Sequence, residues 1–327
     1  DLISVTSDMT LAPASVAYIV TDEDAFVVSN TGTFGRTEST TEMALPAGGS
    51  NLFDLSSVLQ DGAFLRGTSV GDGSTSETIT TLDGEVVSEQ TTSSGQTTVA
   101  FSIDAAGVDL SGDVADNVFN MTIPEAFPFP IEGAIEQAVV GYTFPLLPSE
   151  EEQDVAMRLD LRDLTISDSL WALFDPAGEL PRDPATINID LAGKVISDID
   201  WLNFATLEAQ LDQPVPPIAP TRVTINEVLV SAVGASAQGS GEFTLDMSDM
   251  ETIPGFPRPE GDALLQVEGA NGLIDRLVSL GLIGPEEAGM ARLGMGFVAR
   301  ATGSDAFETA LEVNGEGHVM VNGQRMR

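Results

Sequence analysis

The chain has 327 residues, 51 of them acidic and 13 basic, and its formal net charge of -38 repels nucleic acid and anionic headgroups, which excludes a DNA or RNA partner. With no cysteine and one histidine, disulfides, thiolate zinc sites and cysteine nucleophiles are excluded, and zinc or redox-metal sites have almost no ligands. No apolar run reaches the length of a transmembrane segment, whereas 42% hydrophobic residues suffice for a core, in two domains or in one long all-β body.

The sequence opens at Asp1 without a charged-then-apolar leader and therefore reads as a mature form whose targeting peptide was removed or left out. Val16 to Val20 and Phe26 to Ser29 read as two strands joined by the acidic turn Asp22-Glu23-Asp24. The segment Thr31 to Ser50 is rich in Thr, Gly and Ser and reads as a loop or irregular edge. Phe53, Leu55, Val58 and Leu59 have helical spacing after Asn51 and stop at Gly62, and Gly71 to Thr81 reads as a mobile loop or hairpin tip.

From Thr97 the alternation is firm. Val99, Phe101 and Ile103 turn through Asp104 to Gly107 into Val108, Leu110, Gly112 and Val114, a hairpin with one buried face, and another strand follows at Val118 to Ile123. Pro124, Pro128 and Pro130, interleaved with Phe127, Phe129 and Ile131, predict an extended apolar connection, since proline cannot donate to a ladder. Gly133 to Val140 fits helix or strand. Pro145 to Asp154, with Glu150-Glu151-Glu152, is the best boundary, dividing an acidic β-rich half, 1–148, from a β-rich half, 149–327, unless both form one continuous body.

Beyond the boundary, Val155 to Leu161 alternates, Asp168 to Phe174 predicts a short helix carrying Trp171, and Ile187 to Leu191 opens a strand. Pro214 to Pro220 reads as a stiff connector, and the phase change at Asn226-Glu227 predicts a β-bulge. Asp109-Leu110-Ser111-Gly112-Asp113-Val114 is echoed by Asp190-Leu191-Ala192-Gly193-Lys194-Val195, a hint of a repeated β-unit. The clearest stretch is Ala235 to Ser248. Ala235, Ala237, Gly239, Gly241, Phe243, Leu245 and Met247 form one row against a polar second row, as in a long strand with one face in the core. That row is small at one end and bulky at the other, as where something approaches the backbone closely. Asn271 is the expected cap of one helix and Pro285 the first residue of a second, before a strand at Phe307 to Val313 and turns at Asn314-Gly315 and Asn322-Gly323. Phe243, Leu245, Leu264, Ile274 and Leu277 are expected in one core.

The resulting fold class is mainly β: an elongated, long antiparallel twisted sheet with a few short helices and a helical pair near the carboxyl end. Within it, Gly239-x-Gly241-x-Phe243, Pro259-Glu260-Gly261, Asn271-Gly272-Leu273-Ile274-Asp275, Gly281-Leu282-Ile283 and Gly317 to Gly323 resemble the ending of exported proteobacterial envelope proteins of the AsmA-like group. Trp171-x-x-Phe174-Asp175-Pro176 and Leu180-Pro181-Arg182-Asp183-Pro184 are similar to segments of a bacterial family of unknown function within it. The resemblance spans about Val155 to Arg327. It implies a periplasmic, β-rich body with an apolar sheet or groove that handles lipids, and no catalytic residues.

Candidate chemistry is sparse. Gly67-Thr68-Ser69-Val70-Gly71 matches a hydrolase nucleophile elbow with His318 downstream, but Asp72-Gly73-Ser74-Thr75 cannot start the helix that an elbow needs. His318 reads instead as a surface or hydrogen-bonded histidine. Asp22-Glu23-Asp24, Glu150-Glu151-Glu152 and Asp246-x-x-Asp249 lack calcium-loop spacing and read as solvated turns. No cofactor is implied. The expected function is non-enzymatic: sheltering a lipid or other apolar ligand on the long sheet, with Gly239, Gly241, Phe243, Phe127, Phe129 and Trp171 as the apolar face. The alternative is an acidic module that docks a basic protein partner.

Overall fold

A computed structural model describes residues 2–22, 25–48, 51, 54–207, 217–253 and 255–326. The chain is mainly β, 61% strand and 12% helix, and among the described residues it forms one open antiparallel sheet of nineteen strands with four short helices. The strands are β1 (Leu2–Leu11), β2 (Ala14–Thr21), β3 (Phe26–Phe34), β4 (Thr37–Pro46), β5 (Phe64–Gly71), β6 (Ser74–Leu82), β7 (Glu85–Ser94), β8 (Thr97–Asp104), β9 (Gly107–Thr122) and β10 (Ile131–Phe144). They continue as β11 (Ser149–Ile166), β12 (Ala185–Ser197), β13 (Ile218–Ala232), β14 (Ala235–Asp246), β15 (Arg258–Glu268), β16 (Arg300–Ala301), β17 (Ala306–Val313), β18 (Val319–Val321) and β19 (Gln324–Arg325). The helices are α1 (Leu55–Gln60), α2 (Asp168–Phe174), α3 (Ala270–Ser279) and α4 (Pro285–Val298).

Registers show that several short strands are halves of long ones. β1 pairs with β4 and β2 with β3 in a single register that runs from Leu2 opposite Pro46 to Thr21 opposite Val27. β3 and β4 meet β6 and β5 in the same manner, β6 and β5 meet β7 and β8, and both β8 and β7 pair along one flank of β9. The interruptions fall side by side, at Ala12-Pro13, Gly35-Arg36, Asp72-Gly73 and Gly95-Gln96, and they line up with Asp116 in β9. They form one crease across the sheet. Backbone bonds continue through it, from Gly35 N to Gly73 O (2.8 Å), Asp72 N to Arg36 O (2.9 Å) and Gly95 N to Ala115 O (2.8 Å). Gly73, Asp116 and Asp163 adopt positive φ along this line, as bulges require.

The crease has a consequence for the side-chain faces. At its β11 end, Leu161 pairs with Ile187 and Leu164 with Ala185, so β11 carries one residue more than β12 and Leu161 and Leu164 share a face. Through β10 and β9 the same inversion passes to every long strand, and the face that holds odd residues of β1 holds even residues of β2.

Several sequence expectations need correction. Thr31 to Ser50 contains the end of β3 and all of β4, and Gly71 to Thr81 contains most of β6, so neither is a loop among the described residues. Threonine-rich strands lack apolar alternation but have high β propensity. The helix cap near Asn51 is Asp54, whose carboxylate accepts from Ser57 N (3.2 Å). Phe53 lies outside the described residues, as do Glu23 and Asp24 of the acidic turn and 214–216 of the proline connector. Asn271 does not cap α3. Asp305 reaches across, accepting from Asn271 N (3.0 Å) and Gly272 N (3.0 Å), while Gly269 occupies the cap. The segment Gly133 to Val140 is strand, and a register break between Ile225 and Val228 marks the bulge at Asn226-Glu227. The echoed segments lie on β9 and β12, which run in opposite directions.

On the crease, a concavity of about 560 Å³ is lined in part by Asp116, Glu136 and Asp163. A hydrogen bond to Asp163, then the charges of Asp163 and Asp116, hold the Glu136 carboxyl above its ordinary value of 4.5. A carboxyl whose pKa is raised by folding favours the native state less once pH rises past that value. Glu136→Gln is therefore expected to raise Tm at pH 7 and to leave it unchanged at pH 4, measured by thermal unfolding at the two pH values.

Candidate functional site: an uncharged sheet face

Across the lower side of the crease one register row runs from edge to edge: Ser7, Thr41, Gly67, Phe101, Leu110 and Tyr142, then Met157, Leu191, Ile225, Gly241, Ala263, Leu311 and Val321. It contains no charge. The row on one side of it includes Val5, Met43, Leu65, Ile103, Val108 and Phe144, and the row on the other includes Val99, Val140, Leu159, Ile189, Val228 and Leu265. Above the crease the same face carries Val16, Tyr18, Phe34, Phe119 and Met121, with Ser and Thr between them. In a chain with 51 acidic residues, such a face records strict patterning.

The opposite face carries the charge. Asp160 is 1% exposed and is held by Arg162 (2.6 Å) and Arg158 (3.6 Å). Arg66 pairs with Glu42 (2.7 Å), Arg222 with Glu242 (3.2 Å) and Lys194 with Asp154 (2.7 Å). The concavities also open on this side. The larger, about 650 Å³, is edged by Thr31, Thr33, Thr75, Glu77, Thr91 and Ser93. A second, about 440 Å³, is edged by Asp104, Asp109, Glu151, Glu152 and Asp154.

Among the described residues, the clearest cover on the uncharged face is at one end, and Val313, 5% exposed, is covered as well. Val58, Leu59 and Ala63, from α1 and the turn after it, form a small core with Leu147, packed by Leu45 and Ile103 from the face. The Phe144 and Trp201 rings meet edge-on at 5.3 Å, and Ser56 Oγ donates to Asp200 Oδ1 (2.7 Å), tying α1 to the turn that carries Trp201. Between these places the face is open: Leu110 is 43% exposed and Tyr142 52%, and Val99, Val140, Met157, Val230 and Leu265 are similarly accessible. The chain exposes 19161 Å² in all, against about 13,000 Å² for a compact protein of its mass. Apolar patches on ordinary monomers reach roughly 300–600 Å² and larger ones mark binding surfaces.

Gly239, Gly241 and Phe243 lie on this face, along β14. A Cβ on Gly241 would sit 2.6 Å from Ala263 Cβ and 2.7 Å from Asp262 O, so the neighbouring strand is what approaches its backbone. At Gly239 the nearest atoms would be 3.6 Å and 3.8 Å away, an ordinary van der Waals contact that a methyl group can make. Leu264 pairs with Ser240 and stands on the charged face, so it shares no core with Phe243; Leu265, opposite Gly239, takes the expected place. Phe127 and Phe129 lie between β9 and β10, with ring centroids 6.5 Å apart. Trp171 stands on α2, 5.0 Å from the Phe174 ring and under Arg182 (5.6 Å). The six thus occupy three separate elements. The residues missed by sequence reasoning, Leu110, Tyr142, Met157, Leu191 and Ile225, lay in alternating runs, but only register joins them.

Ser69 lies inside β5, where Ser39 Oγ donates to it (2.8 Å), rather than on a strand–turn–helix elbow. His318 Nδ1 is 3.2 Å from Glu316 Oε2. Asp246 and Asp249 both bind Arg258, at 2.8 Å and 3.1 Å, and cap their own turn through Ser248 and Thr252. Among the described residues no group of three or more acidic or histidine side chains is placed to hold a metal ion, and no helix is long and apolar enough to cross a membrane. No protein-family model, curated protein or solved structure matches the chain.

The two glycines separate a close approach from an ordinary contact. Gly241→Ala is expected to lower Tm by several degrees, because a neighbouring strand must move, whereas Gly239→Ala leaves Tm equal or slightly higher by restricting the unfolded chain. Differential scanning calorimetry of the two variants reads both outcomes.

Proposed function

We propose that the protein is a non-enzymatic envelope protein of the periplasm that carries lipid acyl chains, or a similar apolar ligand, on its uncharged sheet face. One observation carries this reading: below the crease, rows free of charge run from one edge of the sheet to the other, closed at one end by α1 and Trp201 and open at Leu110, Tyr142, Val140 and Met157. Each methylene moved from water onto such a surface contributes about 0.8 kcal/mol, so an acyl chain supplies enough to bind without any polar anchor. The resemblance of Gly239-x-Gly241-x-Phe243 and of the Trp171 to Pro184 segments to AsmA-like envelope proteins supports both the compartment and the ligand class. Native mass spectrometry with organic extraction of protein from its own periplasm is expected to find co-purifying lipid. Leu110→Asp together with Tyr142→Asp, at exposed positions, should abolish that lipid while thermal unfolding stays within a few degrees of the parent. Absence of lipid from the parent protein overturns the reading.

The acid-lined concavity between Asp104 and Asp154 favours a second reading, in which a basic protein docks on the charged face. It predicts a complex whose affinity falls steeply between low and physiological salt, measured by titration calorimetry with a basic partner, and insensitive to Leu110→Asp. Binding unaffected by salt would remove this reading.

A further inference from the structure

Among the described residues the sheet has one long free edge, formed by β1, which pairs only with β4, and β2, which pairs only with β3. At its other end the strands shrink to β18 and β19, of three and two residues. From Leu2 to Thr21 every residue in β1 and β2 is exposed, including nine large apolar side chains between 47% and 70% exposed. Protein edges are ordinarily guarded by charges, prolines or bulges. Here Asp8 is the single charged residue, and Pro13 sits where the crease already interrupts pairing. In a chain of net charge -38 that sparing of one edge is a specific feature, and pairing along it would engage the unpaired backbone groups and the flanks of these side chains from Leu2 to Thr21. A contact of about twenty residues a side has the size of a standard stable interface.

We propose that the occupant of this edge is a second copy of the same chain, paired antiparallel about a two-fold axis perpendicular to the sheet at the crease. Symmetry selects this arrangement. An antiparallel self-pairing is closed and keeps the uncharged faces of both copies on one side, whereas a parallel addition leaves another edge free and propagates. Register follows from the crease. The uncharged face holds odd residues in β1 and even residues in β2, so only pairings of odd with even keep it intact, and a slip by one residue would flip it. Superposing the two creases then sets Val5 opposite the partner's Val20, Ser7 opposite the partner's Tyr18 and Met9 opposite the partner's Val16. Asp8 meets the partner's Ala17, so no carboxylates face one another. The pair would join two uncharged faces into one of double width. This pairing is independent of whether lipid is the ligand.

The absence of cysteine gives a direct test. Val5 and Val20 are far apart along one strand pair, so a disulfide in the V5C/V20C variant must join two copies. Sedimentation equilibrium of the 327-residue chain is expected to show a species of twice 34.2 kDa that dissociates on dilution. Mild oxidation should convert V5C/V20C to a covalent dimer, and V5C/I19C, whose side chains lie on opposite faces, should cross-link at least tenfold more slowly. V5K/V20K should weaken the dimer at least tenfold and V5K/V20E should restore it, since opposite charges then face each other twice. These positions are exposed in the monomer, and circular dichroism checks that the variants fold. A single 34.2 kDa species at every concentration overturns the proposal, and so does a dimer that neither cross-links through V5C/V20C nor responds to the charge pairs.

Discussion

The governing constraint is that a sheet with one apolar face must have that face covered, and the described residues cover it in part, most clearly at one end. Stable domains ordinarily stack two layers so that each buries the apolar side of the other. Among the described residues the one buried apolar cluster of a second layer is that of α1 and the segment after β10, around Val58, Leu59 and Leu147, with the turn bearing Trp201 beside it. The order of the remaining sheet rests on backbone ladders and same-face contacts between neighbouring strands, such as Leu110 with Phe101 and Tyr142. It is why glycines at close approaches, Gly241 against Ala263 for instance, matter more than any single buried side chain.

The crease serves the same constraint. Strands of about twenty residues accumulate twist, and a bulge relieves it locally at the cost of inverting the side-chain alternation. A bulge in one strand alone would break the face. Placed at one level in adjacent strands, from Ala12-Pro13 to Asp163, the inversions cancel between neighbours and the uncharged face continues past them. The acids gather at the crease on the other side, and Glu136 retains its proton to higher pH because Asp163 and Asp116 stand beside it. Electrostatic strain is therefore accepted on the charged face, where water and Arg158 or Arg162 can moderate it, and kept away from the apolar one.

How much of this was legible in the sequence depends on which interaction set each element. The Ala235 to Asp246 strand was readable because burial on one face imposes period 2, and the Asn226-Glu227 bulge because it shifts that period. β4, β6 and the start of β7 were not, because Thr and Ser on both faces leave no alternation, and pairing partners dozens of residues away decide their conformation. Leu264 and Leu265 are adjacent leucines, and register alone decides that the second faces Phe243's side. The α3 cap was misplaced for a similar reason: Asp305 is thirty-four residues from Asn271 and competes with a local cap that the sequence makes look sufficient. Of the candidate site, the β14 members were legible, whereas the row through Leu110, Tyr142 and Met157 exists only once hairpins are stacked in register.

The manner in which one end is closed bears on what can cover the rest. A helix is about 10 Å across, and a second sheet packs about 10 Å above the first. With α1 and Trp201 already standing on the face around Leu45, Ile103 and Phe144, a rigid second sheet could lie flush only on the part beyond them. Acyl chains have no such requirement, since they fill the height set by the helix, follow the bend at the crease and need no hydrogen-bond partner from a face that offers few. A rigid slab would also have to match side chains as uneven as Gly239, Phe243 and Tyr142, whereas flexible methylenes pack over small and large residues alike. Cover that is mobile and apolar therefore suits this face better than cover that is ordered, and edge pairing through β1 and β2 would extend the area available to it without blocking access from above.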